Sequence, residues 1–184
     1  MSPPGSTSSP RIISVIQGEY AVSGETGAAM STVLGSCVAA CLYDPVKQVG
    51  GMNHFLLPEA KSGDSQNVKY GAYLMELLIN DLLKMGAQRH RLKVKLAGGA
   101  KMSKFLGDVG EKNIAFVRKY LSNEGLPVQW QSLGGLQARR IHFFPATGDL
   151  TEKFVQNDAQ IDKAPARPAD RTRTRTRPAG VELF

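Results

Sequence analysis

The stretch TVLGSCVAACLYDPVKQVGGMNHFLLP, residues 32–58, decides how this chain folds. It reads as two apolar strands joined through Asp44-Pro45, a turn signal because aspartate bonds its own backbone and proline presets φ. Two groups interrupt a pattern otherwise made for burial: Cys37, after Gly35-Ser36, and His54, after Asn53. A small buried thiol and a satisfied core imidazole would account for them, and so would a nucleophile and its base. Hairpin arithmetic bears on the choice. With residues 44–47 as the connection, Tyr43 pairs with Gln48 and Cys37 falls opposite His54. With Gln48 added to the connection, the two lie one step diagonal. Opposed Cβ atoms are about 4.5–5.5 Å apart, within reach of a thiol–imidazole contact. A bulge at Gly50-Gly51 would shift that register.

Outward from this hairpin, RIISVIQGEYAV (11–22) has the β-branched content of a first strand, interrupted at Gly18, and SGETGAAM (23–30) is read as a loop. After Pro58 a polar connection runs to about Val68. YGAYLMELLINDLLKMGA (70–87) places Ala72, Leu74, Met75, Leu77, Leu78, Leu82 and Met85 on one helical face, with Gly86 as the stop. LKVKLAGG (92–99) alternates as a strand ending in a glycine pair, and NIAFVRKYLSNEG (113–125) is a second amphipathic helix. PVQWQSLGG and ARRIHFFPATGDL follow as strand-like segments. Strands, helix, strand, helix, strands in that order specify a mixed α/β (α+β) domain with helices packed on sheet.

Composition limits the function classes. The chain has 184 residues, 42% of them hydrophobic, enough for one domain with a sizeable core. No apolar run reaches the roughly 18 residues of a membrane span. MSPPGSTSSPR lacks the apolar centre of a signal peptide, and two cysteines make no disulfide framework, so a cytoplasmic setting is expected. The net charge of +7 is mostly a tail property. From Lys163 onward there are six basic residues (Lys163, Arg167, Arg171, Arg173, Arg175, Arg177) against Asp170 and Glu182. No aromatic or groove-reading element accompanies that tail, which argues against a nucleic-acid-binding domain. The expected organisation is a disordered stretch over 1–10, a folded domain over 11–155 and a basic, disordered tail over 156–184. The tail's apolar end, GVELF, is a candidate docking motif.

A nucleophilic thiol needs a base beside it, amide donors for the oxyanion, and a third group to orient the imidazole. Gly35-Ser36-Cys37 offers the amides of Ser36 and Cys37. Ser31 and Thr32 are the nearby hydroxyls besides Ser36. Gly50-Gly51 and Gly98-Gly99 would let a substrate chain approach closely. Cys41, roughly 13 Å along a strand from Cys37, is too far for a disulfide and is read as core. Two cysteines and one histidine make no metal set, and no metal is expected. His90 is read as a solvent-facing loop residue and His142 as a strand residue. Spacing alone leaves open whether Cys37 and His54 are catalytic.

LGSCVAACLYDP (34–45), GGMNHFLLP (50–58), KLAGGAKM (95–102) and GEYAV (18–22), in wording and order, resemble the CheD family of chemoreceptor glutamine deamidases. The resemblance covers about residues 12–150. It implies a single-domain, three-layer α/β/β sandwich related to the catalytic domain of cytotoxic necrotizing factor toxins. It also implies a cysteine-hydrolase triad that converts receptor glutamines to glutamate without a cofactor, and in some members hydrolyses methylglutamate. Cys37 matches the nucleophile and His54 the base. The third hydroxyl, six positions before the cysteine, falls on Ser31 without a gap, with Thr32 as the alternative. Only one of the two can face His54. Gly35, Gly98 and Gly99 are candidate substrate-binding positions. So are Gln137 and Arg139, which follow Gly134-Gly135 in partial agreement with the family pattern. Chemoreceptors are the implied partners, with a CheC-like phosphatase as a further one. A non-catalytic adaptor for those partners is the competing reading.

Overall fold

The computed structural model describes residues 9–57, 65–102 and 108–155. The expectations for the N-terminal stretch before residue 9, for most of the polar connection after Pro58 and for the Arg-Thr tail with GVELF lie outside the described residues. Nine strands and two helices follow one another as β1 (Arg11–Ser14), β2 (Glu19–Ser23), β3 (Ala28–Leu34), β4 (Val38–Asp44), β5 (Val49–Phe55), α1 (Ser65–Lys84), β6 (Lys93–Gly98), α2 (Val109–Asn123), β7 (Val128–Leu133), β8 (Arg139–Phe144) and β9 (Asp149–Phe154) among the described residues. A short 3-10 turn, Arg89–Arg91, precedes β6.

The strands form two sheets, one ordered β1-β3-β8-β9 and the other β2-β5-β4-β6-β7. β4 lies inside the five-stranded sheet and is buried along its whole length. Its even positions, Val38, Ala40 and Leu42, join the core shared with α1 and α2. Its odd positions, Ala39, Cys41 and Tyr43, join the core facing the other sheet. A strand covered on both faces needs apolar residues at every position, which is why VAACLY is continuous rather than alternating. β8, covered on one face only, shows the alternation buried, half-buried, buried. Helices, five-stranded sheet and four-stranded sheet therefore stack as α/β/β.

Leu74, Met75, Leu78, Ile79 and Leu82 of α1 are buried against the sheet. Each such side chain contributes about 1.5–3 kcal/mol by leaving water. Gly86 (φ +93°) ends α1, with the Gly86 amide donating to the Leu83 carbonyl and the Ala87 amide to that of Leu82. These paired bonds satisfy the last carbonyls of the helix, as the glycine predicts. α1 begins at Ser65, a turn before the start read from its apolar face. Among the described residues, no helix is long and apolar enough to cross a membrane.

Three sequence expectations need correction. Residues 11–22 form two strands in different sheets, because Gly18 (φ +81°) turns the chain between them. The SGETGAAM loop is shorter than read: Ala28–Met30 already belong to β3, which pairs with β1 and β8. The segment 32–58 thus holds the end of β3 in one sheet and the β4–β5 hairpin in the other, with Gly35–Cys37 crossing between them.

Candidate active site

The hairpin register differs from both sequence alternatives. Asp44 pairs with Val49 and Ala39 with His54, so Cys37 lies two residues before the position opposite His54. Pairing runs unbroken through Gly50-Gly51; the offset comes from the turn. One Asp44 oxygen accepts the amides of Val46 (2.9 Å) and Lys47 (3.0 Å), and the Gln48 amide returns to the Asp44 carbonyl at 2.9 Å. This places Pro45 to Gln48 in the loop. Residues two apart share a strand face, so Cys37, Ala39 and His54 all point toward the four-stranded sheet.

From that sheet, Thr32 reaches the imidazole. Its Oγ1 lies 2.8 Å from His54 Nδ1, and the Val15 carbonyl is 3.4 Å from the same nitrogen. Ser31, the hydroxyl favoured by the ungapped spacing, is on the opposite face of β3, paired with His142. Thr32 shares its face with Met30 and Leu34, both in the core between the sheets. That alternation is present in MSTVL, but which of its two faces meets His54 is set by the stacking of the sheets. His54 is 6% exposed, and among the described residues its Nε2 is buried with no hydrogen-bond partner. Burial lowers the imidazole pKa to about 4, opposed in part by the Val15 carbonyl. The ring is therefore neutral at pH 7.

Cys37 is half-buried on the crossing segment. Burial raises its thiol pKa to about 11, with its own backbone amide working the other way. In the resting site the thiol donates to Gln17 Oε1 at 3.4 Å. Gln17 drew no notice in the sequence, where it is one polar residue before a turn glycine.

The segment carrying Cys37 is fixed through its carbonyls. The Ala100 amide donates to the Gly35 carbonyl (2.8 Å) and the Gly99 amide to the Cys37 carbonyl (2.7 Å). The Asn113 side-chain amide donates to the Ser36 carbonyl at 2.9 Å, while Asn113 Oδ1 accepts the Leu57 amide at 2.9 Å. Asn113 is fully buried on the α2 stripe shared with Val117 and Leu121. A polar residue on an apolar stripe was the signal for it, passed over when the helix was read.

The glycines expected to admit a substrate chain lie close against the protein's own atoms. A Cβ on Gly98 would sit 2.1 Å from the Cys37 carbonyl oxygen, and one on Gly99 2.6 Å from Ile114. Gly50 admits the Pro145 carbonyl, Gly51 admits Leu78, and a Cβ on Gly35 would press on Met102. Arg139, also expected to orient substrate, is 2% exposed and committed internally. It donates to the Ser132 carbonyl (2.6 Å), Ser132 Oγ (2.9 Å) and the Gly134 carbonyl, and lies 3.5 Å from Glu152. It thereby holds the Gly134-Gly135 turn, whose Gly134 amide donates to the Gly98 carbonyl at 2.9 Å. Gln137 is exposed on the same connection. Cys41 is fully buried and free, and burial pushes its thiol pKa far up. His90 is exposed in the 3-10 turn and His142 half-buried on β8.

The inner side of the five-stranded sheet carries a thiol bonded to Gln17, a neutral imidazole bonded to Thr32 and not to that thiol, and a backbone segment clamped on its carbonyl side. Such a set can deliver a sulfur nucleophile and move one proton.

Comparisons with known proteins bear on the family. The family model described as CheD chemotactic sensory transduction matches residues 56–154, more than half of the chain, in a segment that begins just after His54. A protein of Caulobacter vibrioides (strain NA1000 / CB15N) named "Probable chemoreceptor glutamine deamidase CheD" is 50% identical over 155 residues, covering 83% of this chain and 81% of that protein. Like-named proteins of Caulobacter sp. (strain K31) and Rhizobium leguminosarum bv. trifolii (strain WSM2304) are 48% and 46% identical, covering 94% and 86% of this chain and 92% and 90% of theirs. Among solved structures, the Bacillus licheniformis hypothetical protein YfiH overlays with a TM-score of 0.43 at 13% identity, covering 67% of this chain and 60% of that one. Matched across half its length by the family model, and close to half identical to these relatives over most of it, the chain belongs to the CheD family.

Proposed function

We propose that the chain is a protein-glutamine deamidase that acts on chemoreceptors in the cytoplasm, with Cys37 as nucleophile, His54 as base and Thr32 as the group that orients the imidazole. The observation that carries this reading is the state of His54. Its Nδ1 is fastened by Thr32 at 2.8 Å, which leaves Nε2 buried without a partner among the described residues, on the side of the five-stranded sheet to which Cys37 also packs.

At neutral pH both groups rest uncharged, so the proton moves from sulfur to His54 Nε2 as the substrate binds. The thiolate then attacks the carboxamide carbon of a receptor glutamine. Backbone amides at Ser36 and Cys37 hold the oxyanion, donors whose opposite faces are immobilised through the carbonyl contacts of Gly35, Ser36 and Cys37. His54 returns the proton to the departing nitrogen, releasing ammonia and leaving a thioester on Cys37. Water, deprotonated by His54, attacks the thioester, giving glutamate and the free thiol. A methyl ester on glutamate would follow the same route, with methanol in place of ammonia.

The test is mass spectrometry of purified receptor incubated with wild type, Cys37→Ala and His54→Ala. Glutamine-to-glutamate conversion by wild type alone is expected. Equal conversion by Cys37→Ala overturns the mechanism. Receptor binding without conversion by wild type would instead favour an adaptor.

A further inference from the structure

Gln17 stands at the tip of a turn built onto the site. The Val15 amide donates to the Ser31 carbonyl at 3.0 Å and the Gly18 amide to the His54 carbonyl at 2.7 Å. The Glu19 amide closes the turn on the Ile16 carbonyl at 3.0 Å, and the Val15 carbonyl faces the imidazole. The backbone from 15 to 19 is therefore tied to the strands carrying Thr32 and His54, while the Gln17 side chain is exposed and reaches the thiol.

Two features make this contact more than a surface hydrogen bond. A glutamine side chain ends in the same carboxamide that the proposed reaction consumes. A thiol also has a single S–H to give. While that proton points at Gln17 Oε1, it is not donated to His54 Nε2, which has no partner among the described residues. The contact does not make Gln17 a substrate. Sulfur faces its carbonyl oxygen through a shared proton, whereas attack requires a thiolate over the carbonyl carbon with the oxygen turned to amide donors.

We propose that Gln17 is an internal stand-in for the substrate glutamine: its carboxamide occupies the thiol-facing end of the site, parks the S–H away from His54, and is displaced by the incoming receptor carboxamide. The inference rests on the deamidase reading above. It assigns Gln17 as a positioning residue that sets when Cys37 is activated, linking proton transfer to the arrival of a carboxamide. Because the side chain is exposed, it leaves the site by rotation about its own bonds, with no backbone movement.

The experiment is the rate of Cys37 alkylation by iodoacetamide between pH 7 and 9, with the adduct located by mass spectrometry, in wild type, Gln17→Ala, Gln17→Asn and Gln17→Glu. Gln17→Ala and the one-methylene-shorter Gln17→Asn are expected to react about three-fold faster or more, the rate equivalent of one lost hydrogen bond. Gln17→Glu is expected to react more slowly than wild type, because a carboxylate beside sulfur opposes the thiolate. With receptor as substrate, Gln17→Ala is expected to lower KM and leave kcat in place. An alkylation rate unchanged in Gln17→Ala, or a raised KM, overturns the proposal. Thermal unfolding of each variant checks that the fold is kept. Receptor glutamines left intact by wild type would sink the deamidase reading, while the alkylation arm would still decide the role of Gln17.

Discussion

Thr32 Oγ1 lies 2.8 Å from His54 Nδ1, a contact between the two sheets that joins residues 22 positions apart. It fixes one ring nitrogen, and under the proposed mechanism the other nitrogen serves Cys37. Thr32→Ala is expected to lower kcat for receptor deamidation about ten- to hundred-fold, the range for a catalytic group released from its productive orientation. Thr32→Ser should recover most of the loss, and Ser31→Ala should stay near wild type. A larger loss from Ser31→Ala than from Thr32→Ala would reverse the assignment.

Gly98 adopts φ +112° with no room for a Cβ beside the Cys37 carbonyl, whereas Gly27 adopts φ +86° with nothing within 4 Å. Both substitutions to alanine carry the backbone strain of a left-handed residue, about 1–3 kcal/mol. Only Gly98→Ala also displaces the segment carrying Cys37. Denaturant melts should therefore show Gly98→Ala as the less stable variant, and deamidation should fail in it while persisting in Gly27→Ala.

Asn113 joins α2 to both the segment carrying Cys37 and the chain leaving β5. Asn113→Ala strands the Leu57 amide and the Ser36 carbonyl, at about 1–3 kcal/mol for each group left unpaired in the interior. A lowered melting temperature is expected together with slower Cys37 alkylation. A drop in stability alone would mean that the segment holds its shape without α2.

Asp44 is covered from solvent, and burial by itself would raise its pKa. The Arg91 guanidinium and the amides of Lys47, Gln88 and Val46 more than offset this and hold the carboxyl well below the usual range. A depressed folded-state pKa stabilises the protein above the unfolded value of about 4 and is lost as pH falls through the folded value. Stability should thus decline below pH of about 4, and Asp44→Asn should flatten that decline while lowering stability at pH 7. Arg91→Ala, which leaves the carboxylate without its cation, is expected to cost about 3 kcal/mol in urea denaturation.

Several elements were legible because local pattern and burial agree. The α1 stripe ending at Gly86 is one, and the apolar run VAACLY, read as a buried strand, is another. Cys37 and His54 were recognisable by their setting, a thiol after Gly-Ser and an imidazole at the far end of an apolar hairpin. The register between them was misread because the turn length depends on Asp44 gathering the amides of Val46 and Lys47, a side-chain choice that strand periodicity does not contain.

By itself the sequence determined which segments are apolar strands, which are amphipathic helices, and where a glycine stops the first helix. Those follow from local sterics and from the transfer of side chains out of water, both written residue by residue. Only the tertiary structure decided which hydroxyl meets the histidine, that Gly98 seats the Cys37 carbonyl, and that Gln17 reaches the thiol. Each of these is a contact between segments whose relative placement is set by sheet pairing and layer stacking, so no single segment carries the information.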